Sequence, residues 1–283
     1  MPKKKSVLDF YEMKKKGEKI TFLTAYDFPT AQFAEAAGLD MLLVGDSLGM
    51  CVYGYAGTIP VVMDQMIYHA EAVRRGAPNT FVIGDMPFMS YQASTEKAVE
   101  NAGRFLKEAG CDAIKLEGGV RVVRQIKAIV EAGIVVMGHI GLTPQSSGQL
   151  GGHKAQGRTA ETAKLVVEDA RAVQEAGAQM ILLEAIPPEV GKFICMNLNI
   201  PVLSIGAGPH CDGQLLIVSD MIGQFQAFTP KFVKKYCNVA EVITTAMKAY
   251  IADIQNGKFP DAGHCYNMIA GEEDKFLKLM KDE

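Results

Sequence analysis

The stretch AGAQMILLE (residues 176–184) carries, in order, an Ala-Gly pair, a short apolar run and a charge where that run stops. Glycine just past a helix supplies a left-handed cap. A run such as Met-Ile-Leu-Leu reads as a strand buried on both faces. The same phrase recurs in AGLDMLLVGD (37–46), AGCDAIKLE (109–117) and AGIVVMGH (132–139), which end on Asp46, Glu117 and His139. A looser copy, GAPNTFVIGD (76–85), ends on Asp85. A charge at the end of a buried strand is too costly to be filler unless it meets water or a ligand. Helix, tight turn, buried strand and polar terminus, repeated along the chain, predict an α/β protein: a (β/α)8 TIM barrel with its chemistry at the C-terminal mouth of the strands.

Outward from these copies, the remaining strands are ITFLTAYD (20–27), PVLSIGAG (201–208) and LLIVSDMIG (215–223). Ser6 caps a short N-terminal helix closed by Gly17, expected to plug the barrel floor or meet a neighbouring subunit. Helical spacing of apolar residues marks 95–109, 120–132 and 161–176, and a helix opening at Asp64 runs towards Arg74-Arg75-Gly76. Long loops at 49–58 and 143–158 follow the second and fifth strands, and loops of that length are usually functional. They are the candidates to close over a ligand. A C-terminal helical extension carries Val242, Ile243, Ala246, Met247, Tyr250 and Ile254, and a charged terminal helix follows. No linker or low-complexity segment breaks the chain, so residues 1–283 are expected to form a single domain.

At 283 residues and 30.6 kDa the chain is long enough for an eight-unit barrel of about 250 residues plus extensions. A net charge of −3 and a pI near 6 argue against nucleic acid or anionic membrane as the main partner. The basic runs Lys3-Lys4-Lys5 and Lys14-Lys15-Lys16 read as a solvated helix face, and no apolar segment of the signal-peptide kind follows the first. No apolar run approaches the roughly 18 residues of a spanning helix. The six cysteines show no CxxC pair and read as reduced, buried thiols of a cytoplasmic protein.

Asp46, Asp85 and Glu117 end consecutive strands, where three converging carboxylates would repel one another unless a cation sat between them. Oxygen-only ligation suits a hard ion such as Mg²⁺; the alternative is that each pairs with a nearby Lys or Arg. Ser47 offers a hydroxyl and an N–H to an anionic substrate, or is a turn residue. Lys115, two residues before Glu117, shares its strand face and could hold a substrate carboxylate, form a Schiff base or neutralise Glu117; carboxylate binding is preferred. The apolar collar of Glu184 favours a carboxyl with a raised pKa, suited to act as a base. His139 is either a hydrogen-bond donor to substrate or a developing oxyanion, or a structural histidine. Gly206-Ala207-Gly208 lies where many barrels bind phosphate, and tight-turn glycines explain it equally well.

At these residues the chain resembles the ketopantoate hydroxymethyltransferase family, within the phosphoenolpyruvate mutase and isocitrate lyase superfamily of barrels. TAYD (24–27), VGDSLGM (44–50), GDMPFMSYQ (84–92), KLEGG (115–119), GHIGLTPQS (138–146), LLEAIP (182–187) and IGAGPHCDGQ (205–214) carry the resemblance. It implies hydroxymethyl transfer from 5,10-methylenetetrahydrofolate to 3-methyl-2-oxobutanoate through a Mg²⁺-stabilised enolate, giving 2-dehydropantoate for pantothenate and coenzyme A. It further implies that Asp46 and Asp85 hold Mg²⁺, with Glu117 completing the site directly or through water. Asp46, Ser47, Asp85 and Lys115 would contact the oxo acid, Glu184 would accept the proton, and the assembly would be a homo-oligomer, typically a decamer. The rival enzyme reading, a Mg²⁺-dependent 2-oxo acid lyase or mutase, needs an activated lid cysteine, for which Cys51 is the sole candidate. A non-catalytic barrel acting as a scaffold is disfavoured, since Glu184 and every metal carboxylate are present.

Overall fold

The computed structural model describes residues 4–281; Lys3 of the first basic run lies outside them. The chain opens with α1 (Val7–Lys16), β1 (Ile20–Thr24), α2 (Phe28–Ala36), β2 (Met41–Val44), the short α3 (Leu48–Cys51) and α4 (Met63–Gly76). Next come β3 (Phe81–Asp85), α5 (Thr95–Lys107), β4 (Ala113–Glu117), α6 (Val123–Glu131) and β5 (Val136–Gly141). After these follow the short α7 (Ser147–Leu150), α8 (Ala160–Glu175), β6 (Met180–Glu184), α9 (Pro188–Asn197), β7 (Val202–Ile205), β8 (Gly213–Leu216) and the short α10 (Val218–Met221). Among the described residues the eight strands run parallel in sequence order, and β8 pairs with β1 to close the barrel.

All four Ala-Gly pairs behave as the repeat predicts: Gly38, Gly110, Gly133 and Gly177 have φ between 67° and 98°. The looser fifth copy differs. Gly76 is the last helical residue of α4, and a Cβ there would lie 2.4 Å from the Phe28 carbonyl oxygen, so this glycine serves close packing of α4 on α2. The last predicted strand also changes. β8 ends at Leu216, and residues 218–221 turn into α10, with the Val218 N–H donating to Thr24 Oγ1 at 3.0 Å. The apolar run continues through both elements, so periodicity could not divide them. Asp27, read as a strand end, instead caps α2, its carboxylate accepting the Thr30 N–H at 2.8 Å.

Alternation along the strands sorts the core into two layers. Ile20 and Phe22, Met41 and Leu43, Phe81 and Ile83, Met180 and Leu182, and Leu203 and Ile205 fill the barrel interior. Their alternate neighbours, Leu42, Val82, Ile114, Val136 and Ile181, pack outward against the helices. Phe10 of α1 is fully buried in the interior cluster, edge-on to Phe81 with ring centroids 5.1 Å apart, so α1 does plug the barrel floor. The basic runs are only in part a solvated face: Lys15 and Lys16 are exposed, but Lys4 pairs with Asp112, Lys5 with Asp40 and Lys14 with Asp212, the last two at 2.7 Å. Cys111 and Cys211 are buried as expected, but Cys237 and Cys265 are exposed.

Compactness divides the chain after Tyr236 into two units, where the sequence predicts one domain. The second unit contains α11 (Val239–Gln255), a 3-10 turn (Ala262–His264) and α12 (Glu272–Leu279), the expected C-terminal helical extension. Within it, Tyr250 meets the Phe259 ring at 5.8 Å. No helix among the described residues is long and apolar enough to cross a membrane.

Outward glycines set how closely the helices approach. A Cβ on Gly84 of β3 would lie 2.2 Å from Phe105 Cδ1 of α5, and one on Gly138 of β5 would lie 2.4 Å from Val173 Cγ1 of α8. Phe105 is fully buried and cannot yield. Gly84→Ala should therefore lower unfolding stability by about 1–3 kcal/mol, the range for an overpacked core. Urea unfolding checks this: the midpoint should fall at constant slope.

Candidate active site

The alternation that fills the barrel carries its interior positions to a charged layer at the C-terminal mouth. Phe81 and Ile83 lead to Asp85, Ala113 leads to Lys115 and Glu117, Met137 leads to His139, and Met180 and Leu182 lead to Glu184. Strand register then decides which of these meet. Asp85 stands beside Lys115 and Glu117 beside His139. Lys115 Nζ lies 2.8 Å from Asp85 Oδ1, 3.6 Å from Glu117 Oε1 and 3.2 Å from His139 Nδ1. His139 Nδ1 is 3.4 Å from Glu117 Oε1, and its Nε2 is 3.1 Å from Glu184 Oε2 without hydrogen-bond alignment. Asp46, in the turn after β2, donates its backbone N–H to Asp85 Oδ2 at 3.0 Å. The predicted residues of five strands thus converge on one constellation.

Ser47 also joins this mouth, but its hydroxyl is engaged by the Tyr26 hydroxyl at 2.8 Å. Glu184 is the least buried member, its side chain 15% exposed, against 2–3% for Asp85, Lys115, Glu117 and His139. The next residue, Ala185, holds a left-handed φ of 47°. Such a conformation costs of order 1–3 kcal/mol in a non-glycine residue and clusters at functional sites.

Burial dominates the electrostatics. It pushes the Asp46, Asp85 and Glu117 carboxyls above their ordinary values; Lys115 opposes the rise, and carboxylate repulsion adds to it at Asp46 and Asp85. Burial pulls Lys115 down, but Asp85, Glu117 and Asp46 outweigh it and hold the ammonium charged. Burial, reinforced by Lys115, lowers His139, which is therefore neutral at pH 7. Since an ammonium only donates, His139 Nδ1 accepts from Lys115 and the ring proton sits on Nε2, towards Glu184.

Gln145, Tyr91 and Asp220 belong to this mouth and were not singled out in the sequence. The Gln145 side-chain amide donates to Asp46 Oδ2 at 2.8 Å and to the Met86 carbonyl at 2.9 Å, and its backbone N–H donates to Glu117 Oε2 at 3.0 Å. The Tyr91 hydroxyl donates to Gln145 Oε1 at 2.7 Å and accepts the Glu117 N–H at 3.1 Å. Gln145 opens the long loop after β5, so the start of that loop is pinned to the carboxylates. In the sequence Gln145 and Tyr91 fall inside the motifs GHIGLTPQS and GDMPFMSYQ without a role of their own. Asp220 of α10 is 4% exposed and lines the same cavity.

The donor set suits a hard cation. Three carboxylates share one ammonium, leaving a negative remainder, and Asp85 Oδ1 is buried without an aligned hydrogen bond. Among the described residues no three His, Cys, Asp or Glu side chains form a ready-made cage. Mg²⁺ needs none, because it keeps several waters and takes one or two protein carboxylates. Cys51, by contrast, has its thiol pushed up by burial, so it is not the activated cysteine of a lyase or mutase.

The family model described as Ketopantoate hydroxymethyltransferase matches residues 4–262. The chain belongs to that family. It is 64% identical over 282 residues to the 3-methyl-2-oxobutanoate hydroxymethyltransferase of Alkaliphilus metalliredigens, covering 100% of this chain and 99% of that one. The protein of the same name from Syntrophomonas wolfei is 52% identical over 257 residues, covering 91% and 93% of the two chains. Among solved structures, 2,3-dimethylmalate lyase, a PEP mutase/isocitrate lyase superfamily member, superposes with a TM-score of 0.60 at 18% identity, covering 98% of this chain and 99% of its own. Phosphonopyruvate hydrolase gives a TM-score of 0.60 at 13% identity, with 99% of each chain covered. The barrel is the one these enzymes share.

Burial raises the Asp220 carboxyl from 3.8 to about 6. The folded protein therefore holds this proton more tightly than the unfolded chain. Its contribution to stability is full below pH 3.8 and is lost as pH rises through 6. Asp220→Asn has no such loss and should unfold at a higher temperature than the parent at pH 7.5, with the difference shrinking towards pH 4. Thermal melts at the two pH values read this directly.

Proposed function

We propose that this enzyme transfers a hydroxymethyl group from 5,10-methylenetetrahydrofolate to 3-methyl-2-oxobutanoate, forming 2-dehydropantoate on the route to pantothenate. The observation that carries the reading is the arrangement around His139: a buried ammonium, Lys115, at 3.2 Å on one side and a carboxylate, Glu184, at 3.1 Å on the other. An oxo acid offers its carboxylate to the ammonium and its C3 proton to Glu184.

Asp46 and Asp85 would hold Mg²⁺, with Glu117 reached directly or through water. Bound there, the ion supplies positive charge that draws electron density from the 2-oxo group and makes the neighbouring C3–H acidic. Lys115 anchors the substrate carboxylate. Glu184, at the edge of the mouth, removes the C3 proton and holds it on its carboxyl. His139 keeps its Nε2 proton facing Glu184, where it stabilises that carboxylate before proton transfer. Water replaces the two C–N bonds of the one-carbon unit, its protons going to the nitrogens of the departing tetrahydrofolate; the enolate carbon forms the new C–C bond to that carbon, and Glu184 returns the C3 proton to the resulting alkoxide. His153 and Arg158 of the loop after β5 also line the cavity and are suited to limit competing reactions with bulk water. The reading extends to a homo-oligomer, the decamer typical of the family, in a cytoplasm that keeps the thiols reduced.

Proton NMR of 3-methyl-2-oxobutanoate in D₂O tests the first step without folate. The parent protein should exchange the C3 proton when Mg²⁺ is present, and a chelator should stop exchange until Mg²⁺ is restored. Glu184→Gln should bind the oxo acid yet exchange it about 10²- to 10⁴-fold more slowly, the range for loss of a general base. Parent-like exchange in that variant would refute the assignment of the base.

A further inference from the structure

The cavity at the mouth is about 870 Å³, within the range that holds a drug-sized ligand. At on the order of 30 Å³ per water, it has room for roughly thirty waters. 3-Methyl-2-oxobutanoate has eight non-hydrogen atoms and leaves most of that space to something larger. The walls divide the cavity chemically. Strands β2 to β6 bring the charged constellation, whereas the chain after β8 brings Phe225, Phe228, Phe232 and Lys231. Phe225 and Phe228 meet edge-to-face with ring centroids 5.4 Å apart. Phe232 packs against Gly206, where a Cβ would lie 2.6 Å from its ring, so a larger residue there would displace the phenylalanine. Phe228 is 50% exposed, an apolar ring without cover.

Asp220 is the one acid in this aromatic sector of the wall. It is 4% exposed and lines the cavity; among the described residues no side chain pairs with its carboxylate, whose oxygens stay accessible from the cavity, and Lys235 acts on it only at longer range. A carboxylate set in an apolar wall and reached only from the cavity has its accepting oxygens turned to whatever the cavity holds, and gains from a ligand that brings donors. The ligand that fits has a flat ring system for the phenylalanines and adjacent N–H donors on one edge.

Resting on the hydroxymethyl-transfer reading above, we propose that Asp220 with Phe225, Phe228 and Phe232 forms the subsite for the one-carbon donor. Asp220 accepts the paired N–H groups at the 2-amino-4-oxo edge of the reduced pterin, and the phenylalanines cover its rings. The charged constellation and the aromatic sector then hold the two reactants in one cavity, with the one-carbon unit between them. No bond is made or broken at this subsite; Asp220 is a binding residue.

The test is equilibrium binding of tetrahydrofolate, measured anaerobically by calorimetry, to the parent protein, Asp220→Asn and Phe228→Ala. Asp220→Asn should weaken binding at least tenfold, although its melting temperature at pH 7.5 should not fall. Phe228→Ala, which truncates a half-exposed ring with little risk to the fold, should weaken binding at least threefold. p-Aminobenzoylglutamate, which lacks the pterin, should bind all three proteins alike. Parent-like tetrahydrofolate affinity in Asp220→Asn, or an equal loss for the pterin-free probe, would overturn the assignment. Exchange of the oxo acid by the parent protein is read separately: its absence defeats the hydroxymethyl-transfer reading, and its presence with an undisturbed Asp220→Asn defeats only the subsite.

Discussion

A single ammonium, Lys115, buried among carboxylates at the mouth of a closed barrel, is the constraint on which the rest depends. Taking such charges out of water is expensive, and the penalty is offset only where geometry and added hydrogen bonds are good. Here the geometry comes from strand register: Asp85 beside Lys115 and Glu117 beside His139. A one-residue slip in either ladder would send one partner outward towards the helices. The added bonds come from loops, through Gln145 and Tyr91, which tie Asp46, Glu117 and the segment after β3 into one network. The barrel beneath, plugged by Phe10 and packed closely at Gly84 and Gly138, gives that network a rigid floor.

One ammonium does not neutralise three carboxylates, and this imbalance links structure to chemistry. Each carboxyl is held above its ordinary value, so the site binds protons or another cation more readily than exposed acids would. A divalent ion there would relieve the repulsion and meet oxygen donors already in place. The charge that makes the arrangement costly therefore favours a cation as occupant. His139 stays neutral in the same field because burial and Lys115 both act against its protonation. Kept neutral, it can hold a donor towards Glu184 and an acceptor towards Lys115 at the same time.

The barrel and most of its charged layer could be read from the sequence because the period-two pattern of interior residues ends on them: Phe81, Ile83, Asp85, and Met180, Leu182, Glu184. The Ala-Gly pairs fixed where helices stop, and the left-handed φ values of Gly38, Gly110, Gly133 and Gly177 follow from that chemistry. What remained hidden depends on partners distant in sequence. Gln145 reaches Asp46 across 99 positions, and although it lies in the motif GHIGLTPQS, nothing in that segment tells which distant partner it meets. The ion pairs of Lys4, Lys5 and Lys14 likewise need the fold to bring Asp112, Asp40 and Asp212 to them. Asp220 lay inside an apolar run read as strand, because Leu-Leu-Ile-Val suits both a buried strand and a buried helical turn.

The two halves of the mouth make opposite demands, and the fold meets them with different elements. Charge chemistry requires side chains held within fractions of an ångström, which strand ends in register supply. A large ring system requires a wall that is apolar and able to adjust, which the segment after α10 supplies through phenylalanines only partly packed on the barrel. That apolar wall also acts on the charged half. By excluding water from one side of the cavity it lowers the local dielectric and strengthens each interaction of Lys115, Asp85 and Glu117. On the proposed reading, filling the aromatic sector would strengthen this further, so that occupancy by the larger reactant would favour activation of the smaller one.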